Sequence, residues 1–145
     1  MKQNDALAAF RTTHSTLIEH YQFIESHLEG IYAAISGKSF RDGIQDVERD
    51  SMSGVLREIQ EIERERRIRI FSDDTYKQLR DMIERRNFWC HCCYVELSFD
   101  RQTGGLTRVR DVQQLLEDLQ IAEHWREQLF QKKIELLEKN RKAEK

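Results

Sequence analysis

The sequence predicts an all-α domain, and three observations carry that expectation. Proline is absent and glycine occurs only six times in 145 residues, so little interrupts a helix. Apolar residues recur at steps of three and four over long stretches, the period of a helix with one face in a core. The connectors between these stretches are short, so each helix returns beside the last, as an up-and-down antiparallel bundle of four long helices. With 39% apolar residues, the chain 1–145 has enough material to bury a core as a single domain.

The first helix is expected from Asp5 to Ser36, because Leu7, Phe10, His14, Leu17, Tyr21, Ile24, Leu28, Ile31 and Ile35 keep an unbroken three-four spacing. His14 lies on this stripe as a hydrogen-bonded seam residue, while His20 and His27 fall on the flank and read as surface residues. Gly37 supplies the stop. A second helix is expected from Phe40 to Ile70 through Ile44, Val47, Met52, Val55, Ile59 and Ile62, bent near Ser51, Ser53 and Gly54. Its end, Arg64 to Arg69, carries four arginines in six residues. They read as a solvated, salt-bridged face, with a phosphate-contacting patch as the alternative.

Ser72-Asp73-Asp74-Thr75 is a helix-start signal, a capping hydroxyl followed by acids that suit the positive end of the helix dipole. The third helix therefore runs from Asp73 to Phe99 and stops at the turn Asp100 to Gly105. A fourth begins near Thr107 with Val109, Val112, Leu116 and Leu119, then a less regular Trp125, Leu129, Ile134 and Leu137. Lys139 to Lys145 reads as a fraying polar tail.

The net charge of -2 gives no general attraction to nucleic acid, so any such binding needs a local patch. No apolar run approaches a membrane span, and Met1 to Asp5 is too polar for a secretory signal. Three cysteines packed into four positions make no disulfide framework. A cytoplasmic protein without a membrane partner is expected.

The unusual residues concentrate in Arg85-Arg86-Asn87-Phe88-Trp89-Cys90-His91-Cys92-Cys93-Tyr94. Tyr76, Leu79, Ile83, Cys90, Cys93 and Leu97 follow the helical stripe, and the position missing from the series is held by Arg86. A guanidinium stays charged, so on a core stripe it demands an anionic or hydrogen-bonding partner, or a cleft open to water. His91 follows five positions later, and imidazole can move protons near neutral pH. Phe88 and Trp89 read as packing rather than base-stacking residues, and Tyr94 as a core or cleft-wall residue. Cys90-x-x-Cys93 lacks the second pair that a structural zinc site needs, so both thiols read as small apolar fillers and no metal or other cofactor is expected.

Arg86-Asn87-x-x-x-His91 resembles the Arg-x4-6-His motif of HEPN domains, small helical bundles many of which cleave RNA without a metal. The resemblance implies Arg86 and His91 as catalytic residues and Asn87 as a substrate-binding residue. It implies single-stranded RNA as substrate, with DNA resistant because it lacks the 2′-hydroxyl nucleophile. On a regular helix five residues rotate by about 140°, so Arg86 and His91 do not share a face and one motif is an incomplete site. HEPN nucleases typically dimerise to join two motifs, which makes a homodimer the expectation.

A toxin or defence effector is the role implied, with an antitoxin protein as a further partner. One branch of the family is modified on a tyrosine two residues after the histidine. Cys93 holds that place here, so the modification does not carry over. The competing expectation is a non-catalytic adaptor or dimerisation module in which Arg86 is a structural ion-pair residue.

Overall fold

A computed structural model describes residues 3–96 and 109–144. Those residues form helices only: α1 (Gln3–Ile35), α2 (Phe40–Val47), α3 (Met52–Arg66), α4 (Asp73–Asn87), a π-helical turn (Phe88–Cys92) continued by the short α5 (Cys93–Glu96), and α6 (Val109–Ala143). The expected turn at Asp100 to Gly105 lies outside the described residues. No helix among them is long and apolar enough to cross a membrane.

Serine hydroxyls start three of the helices. Ser39, Ser51 and Ser72 accept from the backbone N–H of Asp42, Gly54 and Thr75, satisfying donors that a helix start leaves open. The cap at Ser51, whose backbone is extended, turns the bend expected in the second helix into a full break. The expected single helix over 40–70 is therefore two, and the second ends at Arg66.

Gly43 lets α2 press onto α1, since a Cβ there would stand 2.6 Å from the Ala33 Cα. The arginine-rich end of α3 has structural duties. Arg66 donates from both terminal nitrogens to the carbonyls of Ile35 and Ser36, closing the C-terminal end of α1. Arg67 takes the left-handed backbone (φ 56°) that ends α3. Glu63 then organises the corner into α4, with Oε1 accepting from the N–H groups of Ile70 and Phe71 and from the Tyr76 hydroxyl.

The extra helix changes the direction of the last one. α4 runs antiparallel to α1, with Tyr94 and Trp89 beside Phe10 and His14, and Met82 and Arg85 beside Tyr21. α6 then runs parallel to α1. Its Arg126, Lys133 and Asn140 bond to His20, His27 and the Ala34 carbonyl, each pair separated by the same 106 residues. In the expected four-helix arrangement the last helix opposes the first; the break at Ser51 adds one reversal and aligns them.

This pairing also corrects the register expected for the last helix. Its buried apolar residues among those described are Leu115, Ala122 and Leu129, a seven-residue spacing that matches Phe10, Leu17, Ile24 and Ile31 on α1, as in a coiled-coil seam. Val112 and Leu116, expected inside, are exposed. His27, expected on the surface, is buried at 6% exposure because positions 20, 27 and 34 form the flank that α6 covers. Helix α6 continues through Ala143 rather than fraying at Lys139, with Asn140 anchored on α1.

Candidate functional site

The expected site residues stand where α4 passes into the π turn. Two donors here come from a single face of α4 and the π turn that continues it. Arg85 and Trp89 lie one helical turn apart, and both donate to Oδ2 of Asp118 on α6, from Nε at 2.8 Å and Nε1 at 2.6 Å. Gln114 donates to the other carboxylate oxygen at 3.0 Å. Asp118 is 3% exposed, and the three donors supply the hydrogen bonds that a buried carboxylate loses with its water. The Arg85 guanidinium also packs over the rings of Phe88 and Trp89 at 5.0 and 5.7 Å.

The sequence reading missed Asp118, although its signal has the same form as that of Arg86. An acid stands between Leu115 and Ala122, at a position where the apolar stripe asks for an aliphatic side chain.

Arg86 turns to the other side of α4, towards α1. Nη2 lies 3.7 Å from Oε2 of Glu25, and Nη1 donates to Oδ1 of Asn87 at 3.1 Å. Its Nε is buried and has no hydrogen-bond partner. The arginine thus sits on the seam with a distant carboxylate and one donor unmatched. Beside it the half-buried Cys90 thiol is pushed up by burial, against the opposing pull of Arg86.

The π turn falls between Arg86 and His91. Its i to i+5 bonding makes a wider turn with less rotation per residue than a regular helix. The turn is braced from α1. His14 Nε2 contacts the Trp89 carbonyl at 2.7 Å, so the ring carries its proton on Nε2, and the Cys93 thiol donates to the same oxygen at 3.4 Å. His14 is the hydrogen-bonded seam residue that its position on the stripe implies. Such single π turns inside helices occur frequently at functional sites.

The structure brings Arg86 and Asn87 together and leaves His91 exposed. Among the described residues, no hydrogen bond or ion pair joins His91 to either of them. Trp89 and Cys93 are buried and Phe88 is half-buried, as packing residues should be. Tyr94, expected in the core or a cleft wall, is 45% exposed, with its ring edge-on to His14 at 5.3 Å. No three His, Cys, Asp or Glu side chains among the described residues group to hold a metal ion.

On the Arg85 side, α1, α4 and α6 enclose a cleft of about 670 Å³ lined by Tyr21, Met82, Ile121 and Trp125 with polar residues around them. Its tyrosine hydroxyl is pushed well above its ordinary range by burial and then by the Asp118 charge. The fold and site together define an all-helical domain with an arginine-bearing π-turn junction. No protein family, curated protein or solved structure matches this chain.

Proposed function

We propose that the chain is a metal-independent endoribonuclease of the HEPN type, a toxin or defence effector that cleaves single-stranded RNA at a composite site in a homodimer. One observation carries the reading: the buried Arg86 Nε has no hydrogen-bond partner among the described residues, and the ion pair to Glu25 is made by Nη2 at 3.7 Å. A buried unmatched donor costs roughly 1 to 3 kcal/mol, and a purely structural arginine has no reason to bear that cost. A phosphate oxygen entering the seam would satisfy the group.

In the proposed reaction an imidazole of His91 removes the proton of the 2′-hydroxyl, and the resulting oxygen attacks the adjacent phosphorus. Arg86 braces the charged phosphorane through its paired donors. The 5′-oxygen departs with a proton from the second imidazole, leaving a 2′,3′-cyclic phosphate. Asn87, already bonded to Arg86, orients the guanidinium or the phosphate. The exposed His91 on each protomer supplies one of the two proton-transfer groups, which is why two copies are needed.

The test is cleavage of single-stranded RNA by purified protein in excess EDTA, with DNA of the same sequence as control. His91→Ala should lower the rate by about 10² to 10⁴, the usual contribution of a general acid or base. Cleavage abolished by EDTA, or equal on DNA, overturns the mechanism. The Glu25 ion pair favours one second reading, an adaptor in which Arg86 is structural, and the stability of an Arg86 variant separates the two.

A further inference from the structure

Arg85 and Arg86 are neighbours on α4, yet their carboxylate partners are held in different ways. Asp118 accepts from Arg85 Nε at 2.8 Å, a bonded pair. Glu25 Oε2 stands 3.7 Å from Arg86 Nη2, an ion pair too long for a hydrogen bond. The edge of the guanidinium that Glu25 faces is the important one. Nη1 is already engaged with Asn87 Oδ1 at 3.1 Å. Nε–H and one N–H of Nη2 point the same way, and such a parallel pair of donors is what a carboxylate or phosphate grips through two oxygens. On Arg86 this edge holds the unmatched Nε and the nitrogen nearest Glu25.

Glu25 therefore stands at the two-donor edge without closing on it. Its surroundings add like charge. Glu29 follows one helical turn later on α1, and its carboxyl is raised by burial, then by the charges of Glu25 and Glu48. Carboxylates one turn apart on a helix repel each other. The Arg86 and Glu25 side chains are 24% and 30% exposed, so the carboxylate has water to turn into. A phosphate group that grips Nε and Nη2 together needs the position beside Nη2 and the positive charge that Glu25 now shares. Two anions at one guanidinium repel each other, so one leaves as the other enters.

We infer that Glu25 is a built-in competitor for the anion site of Arg86, a carboxylate held loosely at the two-donor edge that turns out to solvent when a phosphate group enters. The inference rests on the ribonuclease reading for the identity of that anion, an RNA phosphodiester. Glu25 is a positioning residue. It sets how tightly the substrate phosphate is held, and the proton transfers assigned to His91 do not pass through it. The ion pair that the adaptor reading treats as structural is then a contact made to be exchanged.

The test is titration of the full chain with inorganic phosphate in EDTA, at neutral pH and fixed ionic strength, followed by the NMR resonance of the Arg86 Nε–H group. Arg86→Ala identifies that resonance by its loss. Glu25→Gln should tighten phosphate binding by about fivefold, the upper end of what a partly exposed charge pair is worth. Glu25→Ala should act in the same direction. Glu29→Gln removes an equal charge one turn away and should change the affinity by less than about twofold, because that carboxylate has no ion pair with Arg86 to exchange. Steady-state RNA cleavage is measured in parallel, and Glu25→Gln should lower KM by a similar factor with kcat within about twofold of wild type, as expected when only substrate affinity changes. Unchanged phosphate affinity in both Glu25 variants, an equal gain from Glu29→Gln, or a wild-type KM in a cleaving Glu25→Gln protein overturns the inference. Tighter phosphate binding with no RNA cleavage by any form sinks the ribonuclease and leaves the competitor standing. Cleavage with phosphate affinity and KM unmoved supports the ribonuclease and sinks the competitor.

Discussion

Lys133 on α6 donates from Nζ to Nδ1 of His27 on α1 at 3.0 Å, so the imidazole in this pair must be neutral. Burial, then the nearby Lys133 and Arg126 charges, push His27 down to about 4, with Glu127 opposing. Its ordinary value is near 6.5, so the unfolded chain takes up this proton first as pH falls. The contribution of the pair is complete above about 6.5 and is lost between there and about 4, on the order of 2 to 3 kcal/mol in all. Urea unfolding of wild type and His27→Gln at neutral and acid pH should show the variant losing less stability than wild type over that window. Equal losses would mean that His27 does not drive the acid sensitivity.

Asp118 holds α6 to the face of α4 through Arg85 and Trp89. Asp118→Ala strands the buried indole N–H and should cost about 1 to 3 kcal/mol, the range for an unmatched buried donor, since the Arg85 side chain is 38% exposed and can be hydrated. Asp118→Asn keeps an oxygen acceptor and should cost less. A loss under about 1 kcal/mol for the alanine variant, measured by chemical denaturation, contradicts this account.

Arg86→Ala is expected to leave stability unchanged or raise it while removing RNA cleavage. The Arg86 and Glu25 side chains are 24% and 30% exposed, so water can take over solvation of Glu25 once the arginine is gone. The adaptor reading expects the reverse, a loss of several kcal/mol with no activity to remove. A melting-temperature comparison decides between them.

The proposed composite site requires two chains. Sedimentation at tens of micromolar should give a dimer, and adding excess His91→Ala protein to wild type should suppress cleavage, because each mixed dimer keeps only one of the two imidazoles that the proposed reaction uses. A strictly monomeric protein removes the composite-site model.

Much of the fold was legible because helix formation here is a local matter. The three-four spacing of α1, the Ser72 start of α4, the seam position of His14 and the oddity of Arg86 all follow from the positions of residues along one helix. What remained hidden depends on contacts between helices. A capped break at Ser51 and a mere bend look alike in sequence, yet the break sets whether α6 runs against or along α1. The flank positions His20 and His27 look like solvent-facing residues until a parallel neighbour covers them. Asp118 carried a sequence signal, but its meaning came only with Arg85 and Trp89 set opposite it. The amino-acid order determines which residues share a helical face, since 3.6 residues complete each turn; the partner each face meets is decided by how the whole set of helices buries its apolar surface together.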